Sequence, residues 1–145
     1  FAADDPAAQA KHFLDTVGTL AAHDLPPMLD IEIDDHTEAK ELQKRALIWL
    51  RAVEKATGIV PIVYTDNGFA DSVLTNRDFA RYPLWIADYN HSVNNVPTPW
   101  AHRLWSLWQH SQTGELTGIE GHVDLNIFNG SLAEMEKFIQ DARNH

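Results

Sequence analysis

Hydrophobic and polar positions change their period several times along the chain, and each change predicts a different element of secondary structure. The opening Asp4-Asp5-Pro6 is typical of a helix start, and apolar residues then recur at helical spacing as far as Leu20. Segment 28–34 alternates strictly, as a strand with two unlike faces does. One face carries Leu29, Ile31 and Ile33, and the other carries Met28, Asp30, Glu32 and Asp34.

The chain then continues with helices between strands and changes later to strands joined by loops. Thr37 is a candidate cap for a second helix that ends at Gly58. A capping box at residues 131–134 predicts a last helix that ends near Asp141. Between these helices, β-rich runs predict strands at 59–65, 84–89, 104–111 and 122–128. Short helical stretches are predicted at 69–74 and 76–82, and loops or turns at 90–99 and 113–121.

This order of elements predicts an α/β fold in a single domain that occupies residues 1–145. Helices between the early strands imply a parallel sheet with helices outside it. Loop-only connections between the late strands make that end of the sheet irregular. Five strands are fewer than the eight of a complete β/α barrel, which usually takes ~250 residues.

The composition narrows the classes of partner. Lys and Arg number 11 against 21 Asp and Glu, which gives a formal net charge of −10. Nucleic acid and an anionic membrane surface are therefore not expected partners, because both select Lys and Arg. The chain has no cysteine, which excludes disulfides, zinc–thiolate sites and thiol nucleophiles. No run approaches the ~18 consecutive apolar residues of a transmembrane helix.

Asp30 and Glu32 are the strongest candidates for chemistry. Two carboxylates on one strand face, two residues apart, have Cα atoms roughly 6.5–7 Å apart. An ionised carboxylate raises the pKa of its neighbour, which then holds a proton near neutral pH, as glycosidic bond cleavage requires. Two alternatives remain open at this point. The carboxylates can simply be solvated at a strand end, or they can join Asp34, Asp35 and His36 in an oxygen-rich metal site.

Other residues are candidates for sugar binding. Asp124 and Asn126 share one face of the last strand, although an exposed strand end would have the same pattern. Gln109 and His110 can bind sugar hydroxyls or satisfy backbone groups. Aromatic rings stack on the apolar faces of sugars, but Trp in strands is more often part of the core. The aromatic candidates are Tyr64, Trp85, Tyr89, Trp100, Trp105 and Trp108.

Motifs for cofactors and metals are absent from the sequence. It has no Gly-rich phosphate loop, no nucleophile elbow, no HExxH motif and no calcium-loop spacing. The eight histidines form no pattern of ligands. We therefore expect no cofactor and no bound metal.

Five segments resemble glycoside hydrolase family 25, the muramidase-type lysozymes of bacteria, phages and some fungi. In chain order they are LDIE (29–32), PIVYT (61–65), PLWIADY (83–89), WQHS (108–111) and VDLNIFNGS (123–131). The resemblance covers essentially the whole chain. It implies an irregular TIM-like β/α barrel, of which residues 1–145 would be the C-terminal two-thirds to three-quarters, with about the last five strands and their helices.

The resemblance also implies an activity. It is hydrolysis of the β-1,4 bond between N-acetylmuramic acid and N-acetylglucosamine in peptidoglycan, at a cell wall reached by secretion or by phage release. Glu32 would be the general acid/base. Asp30 would orient the N-acetyl group of the muramic sugar or stabilise positive charge, and Asp124 matches another acidic residue of the family's site. A glycan-binding module without turnover is the alternative, although both carboxylates of the LDIE segment are intact.

Four further residues are implied as substrate contacts. Tyr64 and Tyr89 would lie beside the scissile sugar, with Trp108 and Gln109 as additional contacts. The family's pattern begins with three more strands, which this sequence lacks. We therefore expect a missing N-terminal segment to complete the barrel, and an exposed edge at 59–65 or its neighbours to cause association.

Overall fold

Five strands form one sheet in the order β1-β2-β3-β4-β5 in the computed structural model, which describes residues 4–90, 93 and 95–144. Strands β1 to β4 pair in parallel, and β5 runs antiparallel to β4. These features confirm the predicted α/β class, its parallel first part and its irregular last part. The elements are α1 (Pro6–Val17), β1 (Met28–Asp30), α2 (Ala39–Thr57), β2 (Ile62–Asp66), α3 (Asn67–Val73), β3 (Leu84–Ala87), β4 (Leu107–Gly114), β5 (Val123–Phe128) and α4 (Leu132–Asp141).

The first strand is shorter than its alternating sequence predicts. It ends before Ile31, whose amide makes one last hydrogen bond to the Tyr64 carbonyl at 3.0 Å. A turn follows, in which the Asp34 carboxylate accepts a hydrogen bond from the His36 amide at 2.9 Å. The predicted extension of the strand is therefore wrong, because side chain–backbone bonds turn the chain towards α2. As a result, Ile33 is 62% exposed instead of facing the core.

Helix α2 supplies an apolar stripe that covers the sheet. Gly58 ends the helix with a φ of 69°, as predicted, because glycine adopts this left-handed conformation at no steric cost. The predicted cap is wrong: Glu38, not Thr37, occupies the N-cap position, and its side chain makes no capping hydrogen bond. The buried residues of α2 are Leu42, Ala46, Leu47, Trp49, Leu50 and Val53.

The hydrophobic core lies between the helices and one face of the sheet, here called the back face, which carries Val63, Leu84 and Ile86. Helix α1 packs on α2 through the rings of Phe13 and Trp49, whose centroids are 5.3 Å apart. The opposite face, here called the front face, carries the register row Asp30, Tyr64, Trp85 and Leu107. The apolar packing behind the sheet leaves the front face available for polar side chains.

The late strands also differ from their predicted bounds. Strand β4 begins at Leu107 and not at Leu104, which has a left-handed φ of 61° that belongs to a turn. It extends to Gly114, beyond the predicted turn boundary, because it pairs with β5. A Cβ at Gly114 would lie 2.4 Å from the Leu125 Cγ, so the close pairing requires glycine there. The predicted capping box of α4 is confirmed, with both reciprocal hydrogen bonds formed at Ser131. Of the predicted loop 90–99, residues 91, 92 and 94 lie outside the described residues.

Strands β1 and β5 are the edges of the sheet, whereas the segment 62–66 is central. We expect the chain to associate through β1, because unpaired backbone groups beside apolar side chains promote pairing with another strand. Met28→Lys places a charge on this edge and should raise the fraction of monomer measured by size-exclusion chromatography with light scattering. Leu132→Lys, at a 74% exposed position of α4, is the matched control and should leave that fraction unchanged. A monodisperse wild-type monomer that melts cooperatively in calorimetry would contradict this prediction.

Candidate functional site

Four carboxylates lie together at one edge of the front face. Asp30 ends β1, Glu32 follows it in the next loop, and Asp66 ends β2. Asp124 is near the start of β5, and because β5 is antiparallel it starts at the edge where the parallel strands end. The negative charges of Asp30, Asp66 and Asp124 all act on Glu32.

These charges and partial burial raise the pKa of Glu32 above its usual value. Partial burial of the carboxyl group is the largest cause, followed by the charges of Asp30, Asp66 and Asp124, while a hydrogen bond with Tyr64 acts in the opposite direction. Partial burial also raises the pKa of Asp30. Both side chains remain accessible to solvent, so they border an open cleft. Glu32 can therefore hold a proton at a higher pH than a free glutamate side chain does.

Two tyrosine hydroxyls meet at the base of this cleft. The hydroxyls of Tyr64 and Tyr89 donate hydrogen bonds to the same Oε1 atom of Gln109, at 3.0 and 2.8 Å. Gln109 is only 5% exposed. Burial, followed by the charge of Glu32, raises the pKa of Tyr64, and burial followed by the charge of Asp124 raises the pKa of Tyr89. Both phenols therefore keep their protons.

The side chain of Trp85, on β3, contacts Tyr64 of β2 and Asn126 of β5, so the cleft continues across the front face. Trp85 is the register partner of Tyr64, and the two rings meet edge to face with centroids 5.6 Å apart. Its indole Nε1 donates to Oδ1 of Asn126 at 2.9 Å. Asn126 is in turn the register partner of Gln109. The front face thus presents aromatic rings and amide groups beside the four carboxylates.

A buried carboxylate that sequence reasoning missed, Asp88, supports the cleft from behind. It is 6% exposed and follows β3 directly. Its Oδ2 accepts a hydrogen bond from Asn67 Nδ2 at 2.8 Å, and its Oδ1 accepts one from the Asn90 amide at 3.0 Å. Its carbonyl oxygen accepts a bond from Trp108 Nε1 at 2.6 Å. These bonds hold the backbone on both sides of Tyr89.

Trp108 lies on the back face and not with the other predicted site residues. It is the register partner of Ile86, whose side chain is buried, and it packs against the hydrophobic core. Its ring contacts those of Trp105 and His110 edge to face, at 5.9 and 5.5 Å. Trp100 is fully buried. The alternation of β4 therefore places Gln109 at the front and Trp108 behind it.

The structure brings together six of the seven site residues that the family resemblance implies, while the seventh, Trp108, lies behind them and donates a hydrogen bond to the backbone of Asp88. The six are Asp30, Glu32, Tyr64, Tyr89, Gln109 and Asp124. Sequence reasoning missed Asp66 because Asp66-Asn67-Gly68 also has the composition of a turn, and Asp66 does cap α3 through the Phe69 amide at 3.0 Å. The available signal was a carboxylate directly after an apolar strand, which both Asp66 and Asp88 share.

Clusters of metal-binding side chains and helices able to span a membrane are both absent from the described part of the chain. Residues 4–90, 93 and 95–144 contain no group of three or more His, Cys, Asp or Glu side chains arranged to hold a metal ion. Across the same residues, every helix is too short or too polar to cross a membrane.

Comparison with known proteins gives several matches. The family model described as Glycosyl hydrolases family 25 matches residues 1–119. The uncharacterized protein YegX of Escherichia coli K12 is 40% identical over 131 residues, which are 90% of this chain and 46% of YegX. Lysozyme M1 of Streptomyces globisporus is 41% identical over 56 residues, which are 39% of this chain and 18% of that protein.

Solved structures show the same architecture. The structure of a muramidase from Acremonium alcalophilum matches with a TM-score of 0.81 and 25% identity, over 97% of this chain and 69% of that one. This likeness confirms the predicted irregular TIM-like α/β fold. The chain spans about half the length of YegX, at 46% of it.

The charge of Asp66 should contribute measurably to the pKa of Glu32. Asp66→Asn removes one negative charge and keeps a side chain that caps α3 well, so we expect a lower pKa of Glu32. The measurement is a carbon-13 NMR titration of the glutamate carboxyls, with Glu32→Gln to assign the signal. Asp71→Asn, which neutralises an exposed carboxylate of the same helix, is the control. Equal effects of the two substitutions would contradict a local role of Asp66.

Asp88 should contribute to stability through its buried hydrogen bonds. Asp88→Asn places an amide donor against other amide donors and should lower the free energy of unfolding by about 1–3 kcal/mol. Urea denaturation followed by tryptophan fluorescence gives this value. Exposed Asp71→Asn should change the free energy of unfolding by less than about 0.5 kcal/mol. A midpoint for Asp88→Asn equal to that of the wild type would show that the buried bonds contribute little.

Proposed function

Because the chain belongs to glycosyl hydrolase family 25, we propose that it acts as an N-acetylmuramidase. In this proposal it contributes to cleaving the β-1,4 bond between N-acetylmuramic acid and N-acetylglucosamine in peptidoglycan. The observation that carries the proposal is a carboxyl group, Glu32, whose pKa is raised by burial and by three neighbouring carboxylates in an open cleft. Cleavage of a glycosidic bond needs such a group as a proton donor, beside carboxylates that remain ionised.

Glu32 is the proposed general acid/base. Its raised pKa keeps a larger fraction of the side chain protonated as the pH rises, so the leaving oxygen can receive a proton. The acid function is lost as the pH rises through that pKa. Asp30 is proposed to orient the N-acetyl group of the muramic sugar or to stabilise positive charge at the reacting carbon. Asp124, at the opposite side of the cleft, is proposed to contribute a further negative charge.

The aromatic side chains of the front face are the proposed sugar contacts. Tyr89 is 47% exposed and Tyr64 is half-buried, so both have surface that a sugar ring can contact. Trp85 lies beside Tyr64 and offers a further ring at the same face. Gln109 and Trp108 lie deeper, and their proposed contribution is to hold these contacts in place.

In the described residues β1 is an edge strand, and its outer edge lies beside the cleft. Leu29, Ile31 and Trp49 line a groove beside this edge, which also reaches Asp30 and Glu32. We propose that a further segment pairs with β1 and closes the cleft, as the resemblance to the family implies.

The proposed place of action is the cell wall, reached by secretion or by release from a phage. The Clostridium acetobutylicum relative at 27% identity is named an autolytic lysozyme, and a solved neighbour is named an endolysin.

Glu32→Gln tests the proposed role of this side chain. The substitution preserves size and removes the transferable proton, so release of reducing ends from purified cell walls should fall by at least ~10²-fold. Sedimentation of the protein with insoluble peptidoglycan should be largely retained, because the aromatic contacts are unchanged.

Glu136→Gln, on the exposed surface of α4, is the matched control and should keep wild-type activity. Near-normal activity of Glu32→Gln would transfer the acid role to another carboxylate. A wild-type protein that sediments with peptidoglycan but releases no reducing ends would favour the glycan-binding alternative.

A further inference from the structure

Gln109 links three strands at the base of the cleft. It belongs to β4, and its Oε1 accepts hydrogen bonds from Tyr64 of β2 and from Tyr89, which follows β3. The two bonds, at 3.0 and 2.8 Å, occupy both acceptor sites of that carbonyl oxygen. At 5% exposure, Gln109 has little surface for a sugar hydroxyl. Its effect on a bound sugar therefore passes through the two tyrosines.

The bond to Gln109 decides where the Tyr64 proton points. A phenol has a single hydroxyl proton, which it can donate to one acceptor at a time, while its oxygen still accepts. The neighbours of the Tyr64 hydroxyl that can take this proton include the Gln109 amide oxygen and the Glu32 carboxylate, and the Tyr89 hydroxyl oxygen is a third. Gln109 and Glu32 therefore compete for it.

We propose that Gln109 is a positioning residue that competes with Glu32 for the Tyr64 hydroxyl proton and so weakens the hydrogen bond that would otherwise favour the ionised form of Glu32. This inference rests on the proposed role of Glu32 as the acid. Its physical basis is that a hydrogen bond donated to a carboxylate favours the ionised form. Gln109 thus acts with the neighbouring carboxylates to keep the acid proton in place.

The charges around Glu32 act in the same direction. Burial and nearby carboxylates also raise the pKa of Tyr64, so its proton is present for donation throughout the pH range in which Glu32 titrates. The titratable groups that act on Glu32 or on its two tyrosine neighbours are Asp30, Tyr64, Asp66, Tyr89 and Asp124. On the side of α1 and α2, the cavity that Glu32 lines is also bordered by Asp4, Asp35 and Arg45.

Two substitutions of Gln109 separate this role from a purely structural one. Gln109→Leu removes the acceptor, so the Tyr64 proton turns to the Glu32 carboxylate and should lower the pKa of Glu32 by about one pH unit, the effect of one added hydrogen bond to a charged group. Gln109→Glu keeps the shape and an acceptor oxygen and should not lower that pKa. The readout is the carbon-13 NMR titration of the Glu32 carboxyl in the full chain, with thermal melting to verify folding.

A second pair of variants shows that the effect passes through Tyr64. In a Tyr64→Phe background there is no hydroxyl proton to redirect, so adding Gln109→Leu should leave the pKa of Glu32 unchanged. The proposal is overturned if Gln109→Leu fails to lower that pKa in the wild-type background, or if it lowers it equally in the Tyr64→Phe background. Because the readout is a carboxyl titration, a protein without lytic activity refutes the proposed function and still tests this inference.

The same shift should appear in the pH profile of a lytically active protein. A lower pKa of Glu32 means that the acid form is lost at lower pH, so Gln109→Leu should move the basic limb of the profile of cell-wall hydrolysis down by about one pH unit. Gln109→Glu should keep the limb at or above its wild-type position. An unshifted limb for Gln109→Leu in a folded, active protein would overturn the proposal while leaving the function intact.

Discussion

The direction of strand pairing is the constraint on which the cleft depends. Parallel pairing from β1 to β4 puts the carboxyl ends of β1, β2 and β3 at one edge, where Asp30 ends β1, Asp66 ends β2 and Gln109 of β4 lies level with Asp66. The antiparallel return of β5 is equally necessary. It brings the amino-terminal end of that strand, with Asp124, to the same edge. A parallel β5 would carry Asp124 to the far end of the sheet.

Gathering carboxylates at this edge changes their chemistry. Like charges in a partly buried site oppose one another's ionisation, and here the effect falls on Glu32, which is acted on by three carboxylates. Partial burial of the carboxyl group is the largest cause of the raised pKa of Glu32, and the like charges add to it. Glu32 and Asp30 both keep their protons to a higher pH than free side chains do, and a carboxyl group with a raised pKa is what acid catalysis uses.

The two faces of the sheet have different roles: the back face packs in the hydrophobic core, and the front face carries the candidate site. On the back face, Val63, Leu84 and Ile86 join α1 and α2 in the core, which holds the strands rigidly. On the front face, the polar side chains are held by one another. Gln109 is a buried member of this arrangement, and the buried Asp88 supports it from behind; each binds neighbours from other segments of the chain. Preorganisation of the cleft therefore depends on bonds that lie behind the surface exposed to solvent.

Local patterns in the sequence were enough to predict the elements and the central pair of carboxylates. The stripe of α2, the glycine stop at Gly58 and the capping box at Ser131 depend on neighbours within one or two turns, so they are legible in a single sequence. The alternation around Asp30 and Glu32 placed both on one side of the chain in the same way. The family resemblance added the roles expected of the predicted site residues.

Pairing between strands that are far apart in the sequence determined the features that local patterns did not predict. The sequence alone did not show that β1 ends before Ile31, because its pairing with β2 stops at Asp30 and Tyr64. It also did not show that Asp66 joins the carboxylates, or that Trp108 lies behind the sheet while adjacent Gln109 faces the tyrosines. Each of these outcomes is set by register against a strand that is distant in the sequence, and a register shift of one residue would exchange the two faces. Only the tertiary structure contains that register.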